Sequence, residues 1–320
     1  MKILMIGRGV ISATYAWALE QAGHEVEFFV RPGRSAAYGS VIDLHLLDGR
    51  TRPWGQQVRE RWAVSYRETL EADHDFDLIV LSVAHSALPG ALDMLSTRLG
   101  NATLLIFGNL WTDPLAAIAG LPAGQVAWGF PGGGGGFDAD GGLHAGVLRT
   151  VVFGTFGTPP NDRERAVRDA FRSAGFTVSE QPDFRGWLWI HFVMDAGIHA
   201  QGLRLGSLSD LIGRRNDLRE ALLTSRELLP LLEARGVDLR RHRSLITSLR
   251  APSALVSGAM SWLISHVPFA RISLAAHTDP RAAEPRAICA DTLAEARRRG
   301  IAAPRLEAAE QYFASVTGSA

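Results

Sequence analysis

A glycine-rich turn stands near the start of the chain, where residues 7–12 read Gly-Arg-Gly-Val-Ile-Ser. The first glycine of this pattern allows a tight turn, and the second lets the backbone approach a ligand closely. The apolar run at residues 2–6 predicts a buried strand before the turn, and residues 10–22 have helical spacing after it. Free N–H groups at the start of a helix favour a negatively charged ligand. The pattern therefore predicts the pyrophosphate-binding turn of a dinucleotide site, formed by Gly7, Arg8, Gly9, Val10, Ile11 and Ser12.

Two arginines follow the second predicted strand, at residues 25–30, and they bear on the choice of cofactor. Sites for NAD usually place an acidic residue at the tip of this strand to bind the ribose hydroxyls, but Glu27 falls too early. Guanidinium groups such as those of Arg31 and Arg34 suit the 2′-phosphate of NADP. We therefore expect NADPH rather than NADH, the alternative being that both arginines are simply solvated.

A histidine and a carboxylate stand together in a predicted helix of the C-terminal half. His191 and Asp195 are four residues apart, so they lie on the same helix face. A neighbouring carboxylate favours the protonated imidazole and orients it, which is what a general acid needs. The alternative is a hydrogen-bonded histidine without chemistry. His199 lies two turns beyond His191 and is expected to extend this polar strip.

The elements that position these residues differ between the two halves of the chain. In the first half, predicted helices alternate with buried strands at residues 2–6, 25–30, 77–83, 103–107, 125–128 and 149–153. This alternation predicts an α/β domain with a mainly parallel sheet. After about Pro182 the pattern is helical, at residues 184–200, 216–235, 253–266, 282–299 and 305–316. We expect a Rossmann domain over residues 1–182 and an all-helical domain over residues 183–320.

The five consecutive glycines at residues 132–136 form the most biased segment of the chain. Glycine has the greatest conformational freedom of all residues, so we expect neither a helix nor a strand here. The segment is expected to be a loop that is either merely flexible or passes close to the cofactor or substrate.

Composition excludes several classes of protein. Lys and Arg together number 33, as do Asp and Glu, so a basic nucleic-acid surface is not expected. The single cysteine, Cys289, excludes an internal disulfide and a cysteine-based metal cluster, and it suits a reducing cytoplasm. We find no apolar stretch long enough for a transmembrane helix and no metal-ligand spacing, so neither a membrane span nor a catalytic metal is expected.

The chain resembles the ketopantoate reductase (2-dehydropantoate 2-reductase) family over nearly its whole length. The matching segments, in the order of the family, are Ile3 to Ser12, Gly23 to Val26 with Arg31, Asp77 to Val83, the strand ending at Asn109, Trp189 to Asp195, Leu218 to Leu239 and Glu284 to Pro304. The resemblance implies a Rossmann domain and a 6-phosphogluconate-dehydrogenase-like helical domain with the active site in the cleft between them. It also implies NADP as cofactor, a small-molecule substrate and a possible homodimer.

The chain departs from the family at several site positions. The family's catalytic lysine falls at His191, the asparagine after it at Asp195, and a second lysine, just after Val83, at Ala84. The resemblance implies that Val83 and Asn109 bind the cofactor and that Asn109 also binds the substrate. It suggests Ser273 as a substrate-binding residue and Glu284 as a catalytic one, although Pro285 and Arg286 alter the setting of Glu284.

Three hypotheses follow from these matches and departures. The leading one is an NADPH-dependent reductase that transfers hydride to a C=O or C=N bond of a substrate other than ketopantoate, with His191 as general acid. The second is a catalytically inactive NADP(H)-binding sensor or scaffold. The third is a genuine 2-dehydropantoate 2-reductase with a rearranged site.

Overall fold

The computed structural model describes residues 1–52, 54–275 and 283–314 of the chain. The chain divides into two compact units, Met1–Phe184 and Arg185–Ala320. The division lies two residues beyond the domain boundary expected from the sequence. The first unit contains both sheets described below, and the second is built from helices.

The strands all lie in the first unit, as far as the structure describes the chain. In chain order they are β1 (Lys2–Ile6), β2 (Glu25–Phe29), β3 (Val41–Asp48), β4 (Gln56–Ala63), β5 (Tyr66–Arg67), β6 (Leu78–Leu81), β7 (Thr103–Phe107), β8 (Val126–Phe130), β9 (Gly133–Phe137), β10 (Leu143–Val147), β11 (Thr150–Gly154) and β12 (Thr177–Gln181).

The helices follow in both units. In chain order they are α1 (Val10–Glu20), α2 (Arg34–Tyr38), α3 (Leu88–Ser96), α4 (Pro114–Ala117), α5 (Asp162–Ser173), α6 (Phe184–Leu205), α7 (Arg215–Glu227), α8 (Leu229–Ala234), α9 (Arg243–Arg250), α10 (Ser253–His266), α11 (Pro268–Ala275), α12 (Ala283–Arg298) and α13 (Pro304–Phe313). Short 3₁₀ turns connect some of them.

The main sheet has eight strands in the order β12-β11-β8-β7-β6-β1-β2-β5. The strands from β8 to β5 are parallel, whereas β11 runs antiparallel to β8 and parallel to β12. Strands such as β1 and β6 are apolar and buried because helices cover a parallel sheet. The expected mainly parallel α/β sheet is confirmed.

Helix α1 is buried on almost all sides. It contacts β1 and β2 of the main sheet as well as β9 and β10 of a second sheet. Residues Ser12 to Leu19 are consequently buried, including Tyr15 and Trp17. A helix with packing partners on opposite sides lacks a polar face.

The second sheet corrects the expectation for the glycine tract. It has the strand order β4-β3-β10-β9, and the glycines form the edge strand β9. The chain approaches β10 so closely that a Cβ on Gly135 would lie 2.3 Å from the backbone oxygen of His144 and 2.6 Å from the Cα of Ala145. An added Cβ would lie closer than 3 Å to backbone atoms of β10 at both Gly133 and Gly135, so these two positions require glycine. The expectation that consecutive glycines exclude a strand was wrong, because close packing outweighed the conformational freedom of the free chain.

The helical unit differs from the expected pattern by two additional helices, α9 and α11, and by a break in one expected helix. The predicted helix at residues 216–235 is two helices, α7 and α8, separated at Leu228. Pro230 lies in the first turn of α8, where its missing N–H group removes no helical hydrogen bond. No helix in the described part of the chain is long and apolar enough to cross a membrane.

Candidate active site

The ends of three neighbouring strands bring predicted site residues to one edge of the main sheet. Parallel register pairs Ile6 of β1 with Leu81 of β6, and Leu81 with Ile106 of β7. The residues that follow these strands therefore lie side by side, among them Gly7, Val83 and Asn109. Open α/β sheets bind their ligands beyond the carboxyl ends of the strands.

The glycine turn after β1 has the geometry that a pyrophosphate requires. Gly7 has a φ of +81°, which favours glycine, and its N–H group donates to the Phe29 oxygen over 2.8 Å. Gly9 has an ordinary φ of −75°, and an added Cβ there would meet no atom within 4 Å. Neither conformation nor packing explains the glycine at this position. Open space therefore lies in front of the first turn of α1, whose N–H groups have no side-chain cap and no acidic neighbour in that turn. These residues fit a dinucleotide, with Ser12 fully buried at the third position of the motif.

Arg8 is held between aromatic rings, which the sequence alone did not indicate. Its guanidinium carbon lies 4.3 Å from the ring centre of Phe137 and 4.9 Å from that of Tyr38. Its Nη2 donates to the backbone oxygen of Gly141 over 3.1 Å. Burial raises the pKa of Tyr66, while the charge of Arg8 and a hydrogen bond from it act in the opposite direction. Arg8 thus ties the glycine turn to the second sheet.

Arg31 and Arg34 lie at the carboxyl end of β2, as their sequence position predicted. Both are exposed, and neither forms an ion pair within the described ranges. The Arg34 guanidinium carbon lies 5.0 Å from the Tyr38 ring centre, and its Nη2 donates to the Tyr38 hydroxyl over 3.3 Å. Glu27 lies inside β2 and pairs with Arg67 over 2.8 Å, so it does not serve the strand tip. The tip therefore carries positive charge.

His191 and Asp195 face each other on helix α6. The distance from His191 Nδ1 to Asp195 Oδ2 is 3.2 Å, and the side chains are 30% and 23% exposed. Burial lowers the pKa of His191, but the charge of Asp195 and its hydrogen bond raise it by more, so the net pKa lies above the ordinary value. Trp187 stacks on the imidazole with ring centres 5.4 Å apart. The pair can hold a proton on a partly exposed imidazole.

Helix α12 packs against α6 beside this pair. The thiol of Cys289 donates to the Ala196 oxygen over 3.5 Å. Burial raises the pKa of Cys289, and the negative charge of Asp195 raises it further, so the thiol stays protonated. Such a cysteine is a packing residue rather than a nucleophile.

The remaining predicted site residues lie on three helices of the second unit. Glu284 is in the first turn of α12, and His199 is on α6 two turns after His191; both are half-buried. Ser273 belongs to α11, but its side chain is outside the described residues. Their roles stay predictions. Across the ranges that the structure describes, no group of three or more His, Cys, Asp or Glu residues could hold a metal ion.

A Rossmann sheet with an open glycine turn, followed by a helical unit, is an architecture found among NAD(P)H-dependent oxidoreductases. Residues 3–156 match the model of the family "Ketopantoate reductase PanE/ApbA". Just under half of the chain, at its N-terminal end, is therefore similar to the ketopantoate reductase family.

Solved structures are similar in fold over nearly the whole chain. A 2-dehydropantoate 2-reductase from Geobacter metallireducens has a TM-score of 0.68 at 17% identity, covering 99% of this chain and 100% of that one. A dimeric ketopantoate reductase from Staphylococcus aureus has a TM-score of 0.61 at 14% identity, covering 97% and 98%. A D-mandelate dehydrogenase with NADH and anilino(oxo)acetate has a TM-score of 0.65 at 13% identity, covering 98% and 97%.

Proposed function

We propose that the protein is an NADPH-dependent reductase that acts on a C=O or C=N bond of a small substrate other than ketopantoate. The bound cofactor would supply the hydride, which is chemistry that no side chain of the protein can provide. The single observation that carries this proposal is the pairing of His191 with Asp195 at the position where the family resemblance implies a catalytic lysine.

His191 would act as the general acid. Hydride addition to a carbonyl carbon leaves negative charge on the oxygen, and a positioned acid lowers the barrier by giving it a proton. The raised pKa keeps more of the imidazole protonated near neutral pH than an unpaired histidine would allow. Asp195 would orient the ring through Nδ1, leaving Nε2 to donate.

NADPH is the proposed cofactor because the end of β2 offers guanidinium groups and no carboxylate that is free for ribose hydroxyls. Arg31 and Arg34 are the proposed contacts to the 2′-phosphate, while Gly7, Arg8, Gly9, Val10, Ile11 and Ser12 would hold the pyrophosphate. The D-mandelate dehydrogenase structure contains NADH, so the two cofactors must be compared directly. Dissociation constants measured by fluorescence titration should favour NADPH, and equal values for the two cofactors would contradict the assignment.

The substrate side of the site is proposed from the resemblance. Asn109, Ser273 and Glu284 would orient the substrate, and His199 would extend the polar strip of α6 beyond His191. The replacement of both family lysines argues against ketopantoate. Aryl-substituted 2-oxo acids are a reasonable first class of compounds to assay, since the D-mandelate dehydrogenase neighbour was solved with anilino(oxo)acetate.

The decisive experiment compares the wild-type protein with His191→Ala on a panel of 2-oxo acids and imines. NADPH oxidation by the wild type and its loss in the variant, with NADPH binding retained, would support the general-acid role. Unchanged turnover in the variant would refute it. Tight NADPH binding without turnover of any compound would favour the sensor or scaffold, and efficient turnover of ketopantoate would favour a rearranged 2-dehydropantoate 2-reductase.

A homodimer through α10 is the proposed assembly. Leu255, Trp262 and Leu263 are 71%, 59% and 47% exposed, and their spacing puts them on one face of the helix. A second copy of this chain could cover the same face by two-fold symmetry. The dimeric neighbour from Staphylococcus aureus supports this state, and the single cysteine supports a reducing, cytoplasmic location.

A further inference from the structure

Glu68 holds the turn that carries the two arginines after β2. Its Oε2 accepts a hydrogen bond from the Gly33 N–H group over 2.9 Å, and its Oε1 accepts one from the Ser35 N–H group over 2.9 Å. Oε1 also accepts the Ser35 hydroxyl hydrogen. Three donors from one turn therefore converge on one carboxylate. Gly33 is in the left-handed region with a φ of +77°, a conformation that the Glu68 contact braces.

The position of Glu68 in the sheet is the one where an acidic residue could serve a different cofactor. Strand β5 pairs in parallel with β2, with Arg67 opposite Phe29, and the Val30 N–H group donates to the Arg67 oxygen over 2.9 Å. Glu68 is the next residue, so its carboxylate lies beside the tip of β2. In sites for NAD the carboxylate that binds the ribose hydroxyls stands at the tip of the second strand itself, next to the place that Glu68 occupies.

The hydrogen bonds decide which of these two tasks the carboxylate performs. Both oxygens already accept hydrogen bonds from Gly33 and Ser35, so the side chain faces the protein turn. The Ser35 hydroxyl, followed by the two N–H groups, lowers the pKa of Glu68, so the carboxylate stays charged and remains a strong acceptor. Arg34 lies between the two braced residues, and Arg31 precedes Gly33 by two positions.

We propose that Glu68 is a positioning residue for cofactor selectivity: by bonding to Gly33 and Ser35 it orders the turn that presents Arg31 and Arg34 to the 2′-phosphate, and it withholds its own carboxylate from the ribose hydroxyls. The inference rests on the proposed preference for NADPH. It assigns that preference to the geometry of the turn as well as to the two positive charges.

Three variants separate geometry from charge. Glu68→Asp keeps the charge, but its side chain is shorter by one methylene and cannot reach both N–H groups. Glu68→Gln keeps the length, but its amide nitrogen faces a donor at one of its two contacts. Ser35→Ala removes only the hydroxyl contact.

We expect Glu68→Asp and Glu68→Gln each to weaken NADPH binding by about tenfold and NADH binding by less than about twofold, because a disordered turn costs mainly the contacts to the phosphate. Ser35→Ala should weaken NADPH binding by about threefold. If the charge of Glu68 mattered instead, Glu68→Gln would bind NADPH more tightly and Glu68→Asp would resemble the wild type. That result would overturn the proposal, and so would an equal loss of affinity for NADPH and NADH.

A second readout does not depend on the cofactor. Cleavage by trypsin after Arg34 is expected to be faster when the turn opens locally, because the protease needs an extended chain, and mass spectrometry can follow this cleavage site. Faster cleavage in Glu68→Asp than in the wild type is expected, and unchanged cleavage would overturn the bracing role of Glu68. Two results can also occur together: the wild type binds both cofactors equally, and Glu68→Asp is cleaved faster than the wild type. That combination would refute the NADPH assignment but would still support the bracing role of Glu68.

Discussion

Asp195→Asn offers the sharpest test of the proposed proton chemistry. The substitution keeps the size of the side chain but removes the negative charge 3.2 Å from His191 Nδ1. Two unit charges at that separation attract by about 5 kcal/mol at an effective dielectric constant of about 20. The side chains are 30% and 23% exposed, so water and the desolvation of the imidazole offset most of that attraction.

A net loss of roughly 1.4 kcal/mol would reduce the ratio of protonated to neutral imidazole about tenfold at a given pH. The direction follows from the cause: Asp195 raises the pKa of His191, so its removal lowers that pKa. Activity should therefore be kept at low pH, where the imidazole of the variant is still protonated. As the pH is raised, the activity of the variant should decline at a lower pH than the activity of the wild type.

The assay is the pH dependence of kcat with NADPH saturating, together with an NMR titration of the His191 ring. The dissociation constant for NADPH should be unchanged, because the proposed cofactor contacts are on other residues. A pH profile identical to that of the wild type, with a fully folded variant, would refute the role of Asp195.

Three further predictions concern the glycine strand, the cofactor and the assembly. Gly135→Ala should lower the free energy of unfolding by about 2–3 kcal/mol, since its Cβ would lie 2.3 Å from a backbone oxygen of β10. Thermal denaturation measures this effect, with Gly124→Ala as the control, because an added Cβ at Gly124 meets nothing within 4 Å. Equal effects of the two substitutions would contradict the packing argument. Arg31→Ala should weaken NADPH binding by roughly 10- to 100-fold through a lost charged hydrogen bond and leave NADH binding unchanged; the control is Arg59→Ala on β4, and a loss shared by both cofactors would argue against a phosphate contact. Trp262→Glu should shift the sedimentation coefficient towards that of the monomer. Trp54→Glu, which changes a 69% exposed tryptophan of the first unit, should not. A dimer that persists in Trp262→Glu would exclude this face of α10 as the dimer interface.

The sequence was most informative where the determining contacts are local. The glycine turn lies between a strand and a helix that adjoin it in the chain, so residues 2–22 sufficed to predict β1, the turn and α1. The pairing of His191 with Asp195 follows from helical geometry alone, because residues four apart share a face. The mainly parallel sheet followed from the alternation of strands and helices.

The tertiary structure alone decided the features that join distant parts of the chain. The second sheet pairs β3 with β10, so Leu44 lies opposite Leu143 although about a hundred residues separate them. Periodicity within a segment carries no information about such a partner, and a glycine strand has no side-chain pattern at all. The aromatic contacts of Arg8 and the brace from Glu68 to Gly33 likewise depend on how separate elements pack. The sequence by itself thus determined the glycine turn between β1 and α1 and the histidine–carboxylate pair. Packing decided how the turn is braced and which side chains surround it.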